Sequence, residues 1–98
     1  MIYNNELEAL KYIFLNHEKL RKEVESGELV NLESQIIRSH ALREKARKWT
    51  ISERFLLHLA LNLFNFCCVK VDLSRIDRLN EKERDIALTA IRIRFDLI

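Results

Sequence analysis

Apolar residues at alternating spacings of three and four predict the first helix of this 98-residue chain. Such spacing places side chains on one face of an α-helix. Asn5 and Glu8 form an Asn-led capping box, and Gly27 stands where a left-handed residue would end the helix. We therefore expect one helix from residue 5 to about residue 26. Its stripe, which includes a histidine, consists of Leu10, Ile13, His17, Leu20 and Val24.

A second amphipathic pattern starts after Asn31, a candidate cap, and reaches about Lys48. Beyond Ser39 the apolar positions move to a different side of the helix, and Arg43 and Arg47 continue the first stripe. This change predicts either a bend near Ser39 or a helix whose two halves pack against different neighbours. The apolar positions of the first half are Leu32, Ile36, Ile37 and Ala41.

The most apolar stretch of the chain, residues 51 to 68, predicts a central third helix that begins after the capping box Thr50–Glu53. At 100° per residue its apolar side chains fill an arc of roughly 240°, far wider than the stripe of a surface helix. A membrane span would need about 20 apolar residues, and polar residues interrupt this run. The polar residues fall in one stripe, about 80° wide, formed by Arg54, His58, Asn62 and Asn65.

The last third of the chain predicts a short extended piece at 69–73, a turn capped by Asp72 or Ser74, and a fourth helix. Asn80 and Glu83 repeat the capping box at the start of that helix, which would reach the C-terminus. Residues 91–97 alternate strictly, so an alternative is a strand that pairs with 69–73.

Composition narrows the fold class. A chain of 98 residues predicts a single domain over residues 1–98. One glycine and no proline disfavour sandwiches and barrels, whose turns use both. We expect an all-α, compact bundle of four main helices around the apolar helix at 51–68. The alternative is a mainly α fold with a small two-stranded ribbon of 69–73 with 91–97.

The two cysteines are adjacent, and the first residues include several charges instead of an apolar leader, which favours a cytoplasmic protein without membrane attachment. His58 and Cys67 would lie about 13 Å apart along one helix, too far for a catalytic pair. The histidines are isolated, which disfavours a metal site, and one glycine cannot build a phosphate loop. We expect no enzyme, no metal and no cofactor.

Residues 38–48 carry five basic residues against Glu44 alone, while the rest of the chain is slightly acidic. This basic segment has three interpretations: solvated surface, a contact with an acidic protein, or a contact with phosphates. A helix-turn-helix is disfavoured, since the helix after the turn offers few base-reading side chains. The candidate partner-binding residues are Arg38, Arg43, Lys45, Arg47 and Lys48. The polar stripe of the third helix is a second candidate, with solvent exposure or internal hydrogen bonding as its alternatives.

The fourth helix is apolar over more of its circumference than one neighbour can cover, which predicts a homodimer. Arg94 shares a side with Ala87 and Ala90, so we expect it to pair with an acidic group, extend to solvent or lie at an interface.

The segments LALNLFN at 59–65 and LNEKERDIALTAI at 79–91 resemble the closing helices of small, uncharacterised prophage-type proteins. The resemblance covers the C-terminal third and carries over no catalytic residue. It implies an accessory protein that binds a host or phage macromolecule. We therefore expect a non-enzymatic binding protein, a phage or prophage accessory factor that binds and modulates another protein. The alternative is a small DNA- or RNA-binding regulator that uses the basic helix at 38–48.

Overall fold

The computed structural model describes residues 4–64 and 69–96, and these residues form a mainly α-helical fold, as expected. The predicted helices after 50 and 80 are present, whereas the first half of the chain is divided more finely than its pattern suggested. The helices are α1 (Asn5–Asn16), α2 (Glu18–Ser26), α3 (Ser39–Lys45), α4 (Ile51–Leu63) and α5 (Glu81–Phe95), with 3₁₀ segments at Ala46–Lys48 and Leu73–Arg78.

The predicted first helix is two helices, and His17 separates them. His17 has an extended backbone, with φ −105° and ψ 126°, so the expectation of one continuous helix is wrong. At this break the imidazole Nε2 lies 3.1 Å from Oε2 of Glu83 on α5, a contact that sequence spacing cannot show. Asn4 rather than Asn5 caps α1, its Oδ1 accepting from the Leu7 N–H at 3.1 Å. Gly27 ends α2 in the left-handed region, as predicted, with φ 69°.

The segment expected to begin the second helix is a β-hairpin instead. Strands β1 (Val30–Asn31) and β2 (Ile36–Ile37) pair antiparallel. Asn31 stabilises the turn between the strands, because its Oδ1 accepts a hydrogen bond from the Ser34 N–H at 3.1 Å. Gln35, at the end of the turn, has a left-handed backbone conformation with φ 59°. The predicted start at Asn31 is therefore wrong, and the change of pattern near Ser39 marks the true start of α3.

Helix α4 begins at the predicted capping box and is the central helix. The Thr50 Oγ1 accepts from the Glu53 N–H at 3.2 Å, and the Glu53 Oε1 accepts from the Thr50 N–H at 3.0 Å. The helix ends at Leu63 rather than at residue 68, and residues 65–68 lie outside the described ranges. Its buried side chains are Phe55, Leu56, Leu57, Leu59, Ala60, Leu61 and Leu63.

The C-terminal third follows the helical expectation. Asp72 caps the 3₁₀ segment, because its Oδ1 accepts from the Ser74 N–H at 3.0 Å. Residues 91–95 belong to α5, so the alternative ribbon of 69–73 with 91–97 is wrong, and residue 97 lies outside the described ranges. A helix started by the capping box continues because no residue in the segment interrupts it.

Helices α1 and α5 pack antiparallel, with contacts at both ends. Near one end Glu83 meets His17, and near the other Arg94 lies 3.8 Å from Glu6. The Arg94 Nε also donates to the Leu63 carbonyl of α4 at 2.9 Å, so this arginine is paired, one of the arrangements expected for it. In the described part of the chain, no helix combines the length and apolar character needed to cross a membrane.

Candidate binding groove

Two of the five basic residues predicted to contact a partner are engaged within the chain. Lys45 Nζ lies 2.9 Å from Oε1 of Glu23 on α2, and the Glu23 side chain is only 7% exposed. Arg47 lies 3.3 Å from Glu44, one turn away and exposed. Lys45 therefore compensates a buried carboxylate, which is a structural role.

The other three basic residues differ in their surroundings. Arg38 and Lys48 are exposed, and neither forms a side-chain ion pair with another described residue. Arg43 is partly buried and close enough to His58 to influence its protonation. The predicted basic segment thus presents its cations in different settings rather than as one continuous surface.

Replacing Lys45 by methionine is expected to lower the free energy of unfolding by about 1–3 kcal/mol, because the Glu23 carboxylate would remain buried without its partner. Lys48→Met is the matched control, since Lys48 is exposed, and its effect should stay within about 0.5 kcal/mol. Urea unfolding of both variants measures the difference. Equal effects would show that Glu23 does not depend on Lys45.

The polar stripe of α4 divides into a structural part and a cavity-lining part. Asn62 donates from Nδ2 to the Val69 carbonyl at 2.8 Å, and this hydrogen bond holds the segment that begins at Val69 against α4. Arg54 and His58 line a cavity one to two turns earlier in the helix. Asn65, the fourth predicted member, lies outside the described residues.

This cavity, which we name the basic groove, lies between the first half of α4 and residues 70–75. Its volume is about 230 Å³, smaller than the roughly 300–1,000 Å³ of typical small-molecule sites. It suits one or two side chains rather than a cofactor. Its walls combine apolar and charged residues, namely Ile51, Arg54, Phe55, His58, Lys70, Val71, Asp72 and Arg75.

Positive charge exceeds negative charge in and beside the basic groove. Arg54, Lys70 and Arg75 line it, and Asp72 is the acidic residue of the lining. Asp72 already accepts from the Ser74 hydroxyl at 2.7 Å and lies 3.5 Å from Arg75. These contacts, the Ser74 hydrogen bonds foremost, lower the pKa of Asp72 and keep it ionised.

The pKa of His58 reflects the burial and the positive charges around the groove. Partial burial lowers the pKa of its imidazole, and the positive charges of Arg43 and Arg54 lower it further. Since all three effects favour the neutral form, His58 is uncharged near neutral pH. The excess of positive charge therefore comes from the arginines and Lys70.

The arginines beside His58 lack compensating groups. The Nε atoms of Arg43 and Arg54 are buried, and neither has a hydrogen-bond partner among the described residues. Within 4–64 and 69–96, Arg43, Arg54 and Lys70 likewise take part in no ion pair. The two arginines are partly buried without a counter-ion, which is unfavourable for the isolated protein, whereas Lys70 is exposed. A bound anion would offset the charge of all three.

Sequence reasoning identified Arg54, His58 and Arg43 but missed the opposite wall of the groove. Residues 70–75 were predicted only as an extended piece and a turn. Lys70 and Arg75 become part of the site only because this segment packs beside α4. Charged and apolar residues alternate from Lys70 to Asp72. This alternation was the feature of the sequence that indicated a segment with one side facing the core and the other side facing away from it.

The lining of the groove offers apolar, cationic, imidazole and carboxylate side chains. Among the described residues that line it, none is a serine, threonine or cysteine that His58 could activate. Among the described residues, no three or more His, Cys, Asp or Glu side chains are grouped to hold a metal ion. Comparisons with protein-family models, curated proteins and solved structures gave no match to this chain.

Proposed function

We propose that this chain is a non-enzymatic binding protein that attaches to an acidic segment of another protein through the basic groove and so modulates it. The observation that carries the proposal is the set of Arg43, Arg54 and Lys70, which have no counter-ion among the described residues. An acidic segment would supply the missing negative charge. Complementary charge would also accelerate the encounter.

The lining of the groove favours a protein over nucleic acid. Ile51, Phe55 and Val71 give it apolar walls, which suit apolar side chains beside the acidic ones of a peptide. The cavity is also far narrower than a double helix, so a duplex could touch only its rim.

The alternative function, a small DNA- or RNA-binding regulator, depends on a different observation. Arg38 and Lys48 are exposed cations without a side-chain ion pair among the described residues, and together with Arg43 and Arg47 they could follow a phosphate backbone. If Arg43→Glu with Arg47→Glu leaves retention on nucleic acid unchanged, this alternative is lost.

The two functions separate in a binding assay with a fluorescein-labelled hexaglutamate peptide and a random duplex DNA. At low ionic strength we expect the peptide to bind more tightly than the DNA, and added salt to weaken that binding. Arg54→Glu with Lys70→Glu should reduce peptide affinity at least about tenfold, since close charge pairs of this kind commonly contribute more than 1.4 kcal/mol. Fluorescence anisotropy measures both affinities.

A matched control removes the effect of net charge. Lys82→Glu with Arg92→Glu alters the same two residue types at exposed positions of α5 and leaves the groove intact. This control should keep most of the peptide affinity. Equal losses in the two double variants would mean that overall charge alone attracts the peptide, and tighter binding of DNA, lost on Arg43→Glu with Arg47→Glu, would establish the regulator.

Self-association is part of the proposal, since α1 and α5 leave large apolar side chains exposed. Leu15 is 46%, Leu88 47% and Phe95 56% exposed. We expect a homodimer by light scattering at tens of micromolar, and Leu88→Lys should shift it toward monomer. Ile36→Lys, at a hairpin position 56% exposed, is the control. A monomer mass for the unmodified protein would reject the dimer.

The biological setting that we propose follows the resemblance at 59–65 and 79–91. It is a cytoplasmic accessory factor of the prophage type, which acts on a host or phage protein without catalysing a reaction. Crosslinking at the groove in the source cell, followed by identification of the attached protein, tests this setting. Crosslinking to an acidic segment of another protein would support this setting, whereas recovery of nucleic acid alone would contradict it.

A further inference from the structure

We infer that the basic groove contains a site for a single carboxylate group, held by the guanidinium of Arg54 with Lys70 opposite it and Arg43 behind. The inference rests on the proposed function and deepens it, because it names the chemical group of the partner that is recognised. According to this inference, an aspartate or glutamate side chain of the partner enters the groove, and its carboxylate does not merely lie near the rim.

The guanidinium of Arg54 is the centre of the site. It lines the groove, and its buried Nε has no hydrogen-bond acceptor among the described residues. A planar guanidinium donates to a carboxylate through two parallel hydrogen bonds, which makes arginine well suited to this group. Burial strengthens such a pair relative to one in open solvent.

The neighbouring charges point to one anion rather than several. Arg75 is already close to Asp72, at 3.5 Å, and this leaves Lys70 as the cation of the opposite wall without an ion pair in the described part of the chain. Arg43 approaches from α3 closely enough to act on His58. A single carboxylate between Arg54 and Lys70 would lie within the field of all three cations.

The apolar walls and the size of the site select a carboxylate over a phosphate. The cavity of about 230 Å³ is bordered by Ile51, Phe55 and Val71, which can cover the methylene groups of an acidic side chain. A phosphate has no such apolar part for these residues to cover. A neutral His58 can donate or accept one hydrogen bond there without adding charge.

NMR of the full chain tests the site with two probes, sodium acetate and the hexaglutamate peptide, each against sodium chloride at equal ionic strength. We expect the Arg54 and Arg43 Nε–H signals to shift saturably with acetate. The pKa of His58, which burial and the two arginines lower, should rise as the anion offsets their charge. Arg54→Gln should weaken acetate binding about tenfold or more, since hydrogen bonds between charged groups are the strong ones.

Two further variants guard against an indirect effect of Arg54→Gln on folding. Lys70→Gln removes the opposite cation and should also weaken binding, whereas Arg92→Gln on α5 should leave it unchanged.

If acetate moves the signals no more than chloride does, or if inorganic phosphate at equal charge binds more tightly, the inference is overturned. If acetate binds as described but hexaglutamate does not, the carboxylate site stands and the proposed function fails. If hexaglutamate binds without shifting the Arg54 signal, the function stands and this site is wrong.

Discussion

Truncation of Leu61 to alanine is expected to lower the free energy of unfolding by about 2–5 kcal/mol. Leu61 lies in the last turn of α4, has 0% exposure and belongs to the main core cluster. The substitution removes buried methyl groups and leaves a cavity that the surrounding helices cannot fill completely. Urea unfolding followed by circular dichroism measures the change as a lower midpoint with a similar slope.

Leu73→Ala is the matched control for this prediction. It deletes the same atoms from a side chain that is 62% exposed, in the 3₁₀ segment after α4. Its effect should remain within about 0.5 kcal/mol, as for most surface substitutions. Similar losses at the two positions would mean that α4 is not the central element of the core.

The size of the first effect follows from the place of α4 in the fold. A domain of this length has a total stability of roughly 5–15 kcal/mol. One truncation at Leu61 would therefore remove a large share of it. The wide apolar arc of the helix predicted at 51–68 already indicated this in the sequence, because a helix that is apolar on most sides needs protein around it.

Helix boundaries were predictable where the signal is local. The capping boxes at Thr50–Glu53 and Asn80–Glu83 each join residues three positions apart, so the interaction that starts the helix is contained in the sequence. Gly27 is equally local, since a left-handed residue ends α2 and glycine adopts that conformation without steric cost. These three positions were therefore placed correctly.

The features that sequence reasoning missed depend on distant contacts or on an unfavourable local conformation. The break at His17 accompanies a contact with Glu83, 66 residues away. Apolar spacing continues through the break, so periodicity alone predicts one helix. The hairpin at 30–37 includes Gln35 in a left-handed conformation, which is uncommon for that residue type and left no sign in the sequence.

In the candidate site, too, local features were predictable from the sequence and features that depend on distant contacts were not. The polar stripe with Arg54 and His58 was visible because one helix carries both residues. The structural role of Lys45 was not, because its partner Glu23 lies 22 residues away on a different helix. The count of charges located the basic segment at 38–48. Only the packing separates cations that are already paired from those that could receive an anion.

Glu83→Ala is expected to cost about 2–4 kcal/mol, because this side chain has two functions in the fold. Its Oε1 accepts from the Asn80 N–H at 3.0 Å and so completes the capping box of α5, while Oε2 lies 3.1 Å from the His17 imidazole. Both side chains of the second contact are nearly buried, at 12% and 13% exposure. The estimate combines one ordinary hydrogen bond with one that involves a charged group.

Glu53→Ala isolates the first function. Glu53 completes an equivalent capping box with Thr50 at the start of α4, and no side chain of another helix pairs with it among the described residues. We expect a loss of about 0.5–1.5 kcal/mol there. The excess at Glu83 then measures the contact with His17, and a double-mutant cycle with His17→Ala should recover the same coupling. Equal costs at the two glutamates would mean that this contact does not hold α5 against the α1–α2 junction.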